Sequence, residues 1–217
     1  MYGNIHQNNA QWRMARCFNF TSSELHKLLT KAKSGSGMSK TAETYIFDKL
    51  AETLTNGDCL NYTQADSKET RWGHYWESEA RFRYEDATGV SVETCGYIPY
   101  NDFFGGSPDG LVGEDGGIEI KCPYNSAIHV RYLMMTEPKD LQEFKPEYYA
   151  QIQGNLLTTG RQWFDFVAFD PRMKNEAQQL KVLRIPRDEE FIARCIEALE
   201  AAQEVRRKYE SKLIEML

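Results

Sequence analysis

Ser107-Pro108-Asp109-Gly110 is followed along the chain by Gly117-Ile118-Glu119-Ile120-Lys121-Cys122-Pro123. Side chains on a strand alternate faces, so Glu119 and Lys121 point one way and Ile118 and Ile120 point the other way, into a core. A hairpin turning at Asp115-Gly116-Gly117 brings Asp109 beside Glu119. Two carboxylates and one ammonium then converge at a solvent-facing sheet edge. Two hard carboxylate groups suit Mg²⁺, which keeps several waters and leaves positions for phosphate oxygens. Such an ion polarises a phosphate and lowers the pKa of a bound water. A lysine beside that water can orient it, assist its deprotonation, or stabilise charge in the transition state. The chemistry would be metal-assisted attack of water on a phosphodiester. The same residues also suit a surface hairpin, with Glu119 and Lys121 forming a weak exposed pair and Asp109 serving only as a turn former. The Pro-Asp turn, the spacing, and Glu-x-Lys set between apolar residues are together far more specific than any one part.

Helices and strands must hold these groups. Thr21-Ser22-Ser23-Glu24 has capping-box spacing, which predicts a helix through Leu25, Leu28 and Leu29. A second helix is expected from Thr41 to Leu54, before Asn56-Gly57. A third is expected from Thr70 to Ala87, stopped by Gly89. Ser91 to Pro99 and Leu111 to Ile120 read as strands, with Glu114-Asp115-Gly116-Gly117 as the turn of a hairpin. Pro146 opens a helix that runs to Thr159 and stops at Gly160. Phe164 to Phe169 and Leu180 to Ile185 read as strands rich in aromatic and branched residues. From Asp188 on, Phe191, Ile192, Cys195, Ile196, Leu199 and Val205 recur at helical spacing. The sum is a mixed α/β domain, a central sheet with helices on its faces. Ser34-Gly35-Ser36-Gly37 reads as a mobile loop.

At 217 residues, with 41 % hydrophobic and 27 % charged, the chain can bury a sizeable core. No apolar run is long enough for a membrane span, and the polar start from Met1 to Gln11 has no secretory-signal character. Five scattered cysteines without a C-x-x-C pair point to free thiols in a reducing cytoplasm, not to a disulfide frame or a zinc or iron–sulfur site. The net charge of −6 argues at first against a nucleic-acid partner. Residues 1–49, however, carry seven Lys/Arg against three acids, an excess of +4, so the remainder carries −10. A basic face can sit on an acidic body, although by charge alone a solvated helix surface fits as well.

The Ser-Pro-Asp-Gly and Gly-Ile-Glu-Ile-Lys-Cys-Pro segments resemble the signature of the phage lambda exonuclease family, the YqaJ-type viral recombinases. These belong to the PD-(D/E)xK nuclease superfamily. The resemblance extends over most of the chain. Trp12 to Glu24, W-R-M-A-R-C-F-N-F-T-S-S-E, is similar to the family's N-terminal stretch. Trp72-Gly73 with Glu77, Ala80 and Arg81 resembles its W-G-x-x-x-E-x-x-A-R helix. Tyr148-Tyr149-Ala150-Gln151-Ile152-Gln153 resembles its Y-x-A-Q-x-Q helix, and Asp170-Pro171-Arg172-Met173-Lys174 its D-P-R-M-K loop.

The resemblance implies a restriction-endonuclease-like α/β core, with residues 1–217 as a single nuclease domain. It implies a Mg²⁺-dependent 5′→3′ exonuclease, with Mn²⁺ as a substitute ion, that degrades linear double-stranded DNA to mononucleotides and leaves 3′ single strands for recombination. Asp109 and Glu119 would be metal ligands, with the Ile120 carbonyl as a third. Lys121 would act on the water, Glu77 would reach in from its helix, and Gln151 would line the site. Glu77 equally suits a helix-surface pair with Arg81 at i+4. Arg16 and Ser23 match the family's 5′-phosphate positions. This fits the free N–H groups of a helix start and a charged arginine contact, although Ser23 also suits simple participation in the cap. The family's arginine after K-C-P is replaced by Ala127, and Arg131, one helical turn on, is the candidate substitute. The resemblance also implies a ring-shaped homotrimer, a single-strand annealing partner, and action in the cytoplasm, that of the host cell if the gene is phage-borne. The alternatives are a structure-specific PD-(D/E)xK endonuclease or nickase, and a non-catalytic DNA-binding module.

Overall fold

Three long helices begin on a side-chain cap, and two long helices stop on a glycine. The computed structural model describes residues 7, 10–33, 37–60 and 67–216. Except for Gly37, the expected Ser34–Gly37 loop lies outside these residues. The N-terminal part holds α1 (Ala10–Arg16), β1 (Phe20–Thr21), a 3-10 turn (Ser22–Glu24) and α2 (Leu25–Leu28). The capping box expected at Thr21 is not formed. Thr21 makes no side-chain cap bond. Its backbone pairs with Gly105, its N–H bonds the Tyr45 hydroxyl at 3.0 Å, and its hydroxyl faces that of Ser23 at 3.2 Å. Long-range pairing has taken the capping residue, and only one α-helical turn remains. Between α1 and β1 the chain reverses at Phe18, whose φ of 71° is left-handed and costs a non-glycine residue about 1–2 kcal/mol.

Ser39 caps α3 (Lys40–Leu54), and Ser67 caps α4 (Lys68–Thr88), which ends on Gly89 at φ 70°. That left-handed residue is one only glycine adopts without penalty. The strand expected over Ser91–Pro99 divides into β2 (Val92–Glu93) and β3 (Ile98–Pro99), which join different sheets. After β4 (Phe104–Gly106) come β5 (Gly110–Val112) and β6 (Gly116–Lys121). Their hairpin turns at Gly113-Glu114-Asp115, earlier than expected, and pairs Gly110 with Ile118 and Val112 with Gly116. Gly116 and Gly117 are strand residues. Added Cβ atoms there would lie 2.1 Å from the Trp163 ring and 2.4 Å from the Phe164 ring.

Next come α5 (Ser126–Leu133), α6 (Pro138–Phe144), α7 (Pro146–Thr159), β7 (Trp163–Phe169), β8 (Leu180–Pro186) and α8 (Glu189–Ile214), the last capped by Asp188. α7 opens on Pro146 and closes on a left-handed Gly160. The larger sheet runs β2-β5-β6-β7-β8 and the smaller runs β1-β4-β3. β6 and β7 are parallel and the other neighbours in the larger sheet are antiparallel. β6 is therefore an interior strand, not the sheet edge expected from sequence. The parallel pair needs a crossover, which α5, α6 and α7 supply.

Alternation along the strands divides the core. Phe164, Phe166 and Ala168 face α3, α7 and α8 with Ile46, Ile152, Leu156 and Cys195. Ile118, Ile120, Val167 and Phe169 face α4 with Ala80 and Tyr84. On that second face Asp165 is buried, bonded by both arms of Arg184 at 2.9 Å and by the Tyr84 hydroxyl at 2.8 Å.

Candidate active site

With Ile118 and Ile120 committed to the α4 face, Glu119 and Lys121 must face α7. There they form the floor of an open cleft of about 580 Å³. Asp109 sits at the entry to β5, and its Oδ2 accepts the backbone N–H of Ile120 at 2.6 Å. That bond fixes the carboxylate beside Glu119. Glu119 itself is only 1 % exposed, so it is not solvent-facing. Its Oε1 receives Lys121 Nζ at 2.7 Å and its Oε2 receives Asn155 Nδ2 at 3.0 Å. Lys121 also donates to Gln151 Oε1 at 3.3 Å and stands 4.7 Å from the centre of the Tyr148 ring.

Burial raises the Asp109 carboxyl well above its ordinary range, and the neighbouring Glu119 charge raises it further. Glu119 is raised by burial too, with Lys121 opposing the shift. For Lys121 burial favours the neutral amine, yet the Glu119 and Asp109 charges prevail and hold the ammonium above its usual value. Two acids that repel one another in a buried place favour a cation between them.

The donor set therefore fits a hard divalent ion. Asp109 Oδ2 and both Glu119 oxygens have a lone pair beyond the one hydrogen bond described for each. Among the described residues no group of three His, Cys, Asp or Glu side chains is ready to hold a metal. Mg²⁺ is commonly held by one or two carboxylates together with waters and phosphate oxygens, and Asp109 and Glu119 are two carboxylates that fit that pattern.

The structure brings Asp109, Glu119, Ile120, Lys121, Gln151, Glu77, Arg16 and Ser23 to this one cleft. Glu77 lines it from α4 but gives its Oε1 to Arg81 at 2.8 Å, and Arg81 also donates to the Asp109 carbonyl at 3.3 Å. Arg16 donates to Ser23 Oγ at 3.1 Å and stacks 4.3 Å from the Trp12 ring. Ser23 lies in the first turn of the 3-10 segment that leads into α2, without the side-chain cap expected from Thr21. Arg131 is not brought to the cleft. α5 turns it toward Met134, Met135 and Asp140, with its guanidinium 4.3 Å from the Phe144 ring. Lys145 is a cation in the cleft wall that sequence reasoning passed over.

Asn155 was also missed, being one of several polar residues on α7 with nothing local to single it out. A signal was present in Gly105-Gly106, since glycine within a strand marks a close approach. A Cβ on Gly106 would lie 2.5 Å from Asn155 Oδ1 and 2.6 Å from Ser22 Oγ. Its absence lets α7 come close enough for Asn155 to reach Glu119.

The model of the YqaJ-like viral recombinase domain matches residues 11–162. The chain belongs to the YqaJ-like viral recombinase family. An alkaline exonuclease, LHK-Exo from Laribacter hongkongensis, matches with 31 % identity over 96 % of this chain and 100 % of its own, at a TM-score of 0.79. The structure of LHK-Exo in complex with dAMP matches equally, at 31 % identity and 0.79. A phage related exonuclease from Haemophilus somnus 129PT, 20 % identical over 90 % of this chain and 96 % of its own, shares the fold at 0.71. None of the curated proteins matches. With the family come the PD-(D/E)xK type of α/β fold and the nuclease class of enzyme. No helix among the described residues is long and apolar enough to cross a membrane.

Proposed function

We propose that this YqaJ-family chain is a Mg²⁺-dependent exonuclease that degrades linear double-stranded DNA 5′→3′, releases mononucleotides and leaves 3′ single strands for recombination. The observation that carries the reading is the pairing of a buried Glu119 with a partly buried Asp109, held beside Lys121 in the same cleft as Arg16 and Ser23. LHK-Exo, named an exonuclease, also has a structure with dAMP, which suits a mononucleotide product here.

Asp109, Glu119 and the Ile120 carbonyl would hold the ion, and Mg²⁺, or Mn²⁺ in its place, would supply Lewis-acid polarisation of the scissile phosphate and a more acidic water. Lys121, steered by Gln151 and Glu119, orients the attacking water and offsets negative charge as the phosphorus gains its fifth oxygen. Glu77 adds negative charge to the wall and keeps Arg81 in place. Arg16, with Ser23, takes the 5′-phosphate of the cut strand by charge-assisted hydrogen bonds. The protein works as a homotrimeric ring beside a single-strand annealing protein, in the cytoplasm.

One experiment tests the reaction. Linear duplex with 5′-phosphate, the same duplex with 5′-hydroxyl, and a covalently closed circle are each incubated with Mg²⁺ and with EDTA. Loss of the linear forms only, phosphorylated ends first and only with Mg²⁺, is expected. Cutting of the closed circle would mean an endonuclease, and activity in EDTA would remove the metal from the reaction. Light scattering at three chain masses is expected for the ring.

A further inference from the structure

Arg16 and Ser23 meet only because the chain reverses between them. The reversal is at Phe18, which holds a left-handed φ of 71°. Both sides of this residue's backbone are gripped by buried charges from elsewhere in the fold. Its N–H donates to Glu52 Oε2 of α3 at 2.9 Å. Its carbonyl accepts from Arg206 Nη1 of α8 at 2.5 Å. Arg206 spans to α3 as well, through Nη2 to Thr53 Oγ1 at 2.9 Å. Lys49 donates to both oxygens of Glu52 at 2.9 Å. Lys49, Glu52 and Arg206 are all buried.

A buried ionic cluster is a poor way to gain stability, since desolvation offsets most of the attraction. It is a good way to impose one backbone geometry on a residue that would otherwise leave it. Phe18 in an ordinary right-handed or extended conformation would send α1 in another direction, carrying Trp12 and Arg16 off the cleft.

We propose that Glu52 and Arg206, braced by Lys49 and Thr53, are positioning residues for recognition of the DNA end. They clamp Phe18 in its left-handed turn and thereby hold the Arg16 guanidinium against Ser23 in the cleft. The C-terminal helix thus sets the enzyme's preference for a 5′-phosphate from outside the site. This rests on the reading of Arg16 as the 5′-phosphate contact.

The test is the ratio of initial rates on linear duplex with 5′-phosphate and with 5′-hydroxyl, measured on the full chain. The wild type is expected to show a ratio of about tenfold, the effect of one charged hydrogen bond, and Arg16→Ala to abolish it. Arg206→Lys, which keeps the charge but cannot fork between Phe18 and Thr53, should cut the ratio severalfold. Glu52→Gln should do the same and decides the matter if the first variant folds poorly. Adding Phe18→Gly to Arg206→Lys should restore the ratio, because glycine takes the left-handed turn freely. A structural role alone would lower both rates together and leave the ratio, overturning the proposal. If Arg16→Ala loses the preference while both clamp variants keep it, the clamp falls and the Arg16 reading stands. No preference in the wild type would overturn both.

Discussion

Asn155 donates its side-chain amide to Glu119 Oε2 at 3.0 Å, and neither side chain is open to solvent. The Asn155 Oδ1 atom has no hydrogen-bond partner among the described residues, so this amide is spent on orienting one carboxylate. Outer partners of this kind are worth about 10–100-fold in metal affinity or activity. Asn155→Leu is therefore expected to raise the Mg²⁺ concentration for half-maximal rate by about tenfold or more. A magnesium titration of the rate checks it, and an unmoved midpoint would show that Lys121 alone orients Glu119.

Lys121→Ala should lose turnover far more than DNA affinity, because the task proposed for it belongs to the transition state. A fall of roughly 100-fold or more in single-turnover rate is expected for a lost electrostatic stabiliser. Fluorescence anisotropy on the same duplex should change little. If binding collapses and the rate on bound DNA holds, the residue is a phosphate anchor only.

His129 is buried in α5 and donates Nε2–H to the Gln178 carbonyl at 2.8 Å, while Nδ1 has no partner among the described residues. Burial holds its pKa below 6.5, against the pull of that hydrogen bond and of Asp170. The unfolded chain therefore takes up a proton that the folded chain resists. Its contribution to stability is complete above pH about 6.5 and is lost as the pH falls below that value. Urea midpoints at neutral pH and in mild acid should separate, and His129→Gln should narrow the separation. An equal separation in the variant would assign the acid sensitivity to other groups.

Asp165 is buried on β7 under a forked Arg184, whose side chain is 58 % exposed. Removing one partner of a fully buried pair costs about 3–5 kcal/mol. Since Arg184 can turn to water, Asp165→Ala should cost less, about 2–3 kcal/mol. Because the pair lies on the face away from the cleft, single-turnover rates at low temperature should persist. Urea denaturation measures the loss, and a shift under about 0.5 kcal/mol would show the pair to be an ordinary surface contact.

Much of this was legible in local sequence. Glu-Ile-Lys on a strand told which residues share a face. Gly89, Pro146 and Gly160 marked helix ends that the structure keeps. What failed depended on distant chain. Thr21 reads as a helix cap until Gly105 and Tyr45 are seen to claim its backbone. The segment from Ser91 to Pro99 reads as one strand because nothing local says that its ends serve two sheets. Arg131 has the right charge at a plausible spacing, and only the packing of α5 on Phe144 turns it from the cleft. The Phe18 clamp was invisible because its Arg206 partner lies 188 residues away, and the bond from Asn155 to Glu119, 36 residues apart, was marked only indirectly by Gly105-Gly106.

The parallel pairing of β6 with β7 has a consequence for the cell that makes the protein. β6 can find its neighbour only after the whole crossover from Ser126 to Thr159 and β7 itself are present. The cleft is then closed by pieces from both ends of the polypeptide, with Arg16 at one side and α8 gripping its turn. A chain ending before β7 carries Asp109, Glu119 and Lys121 on the β5–β6 hairpin but lacks the strand beside β6 and the α8 grip on the Arg16 turn. The complete cleft is therefore a late product of synthesis, finished only when the strand and helix that follow the crossover are in place.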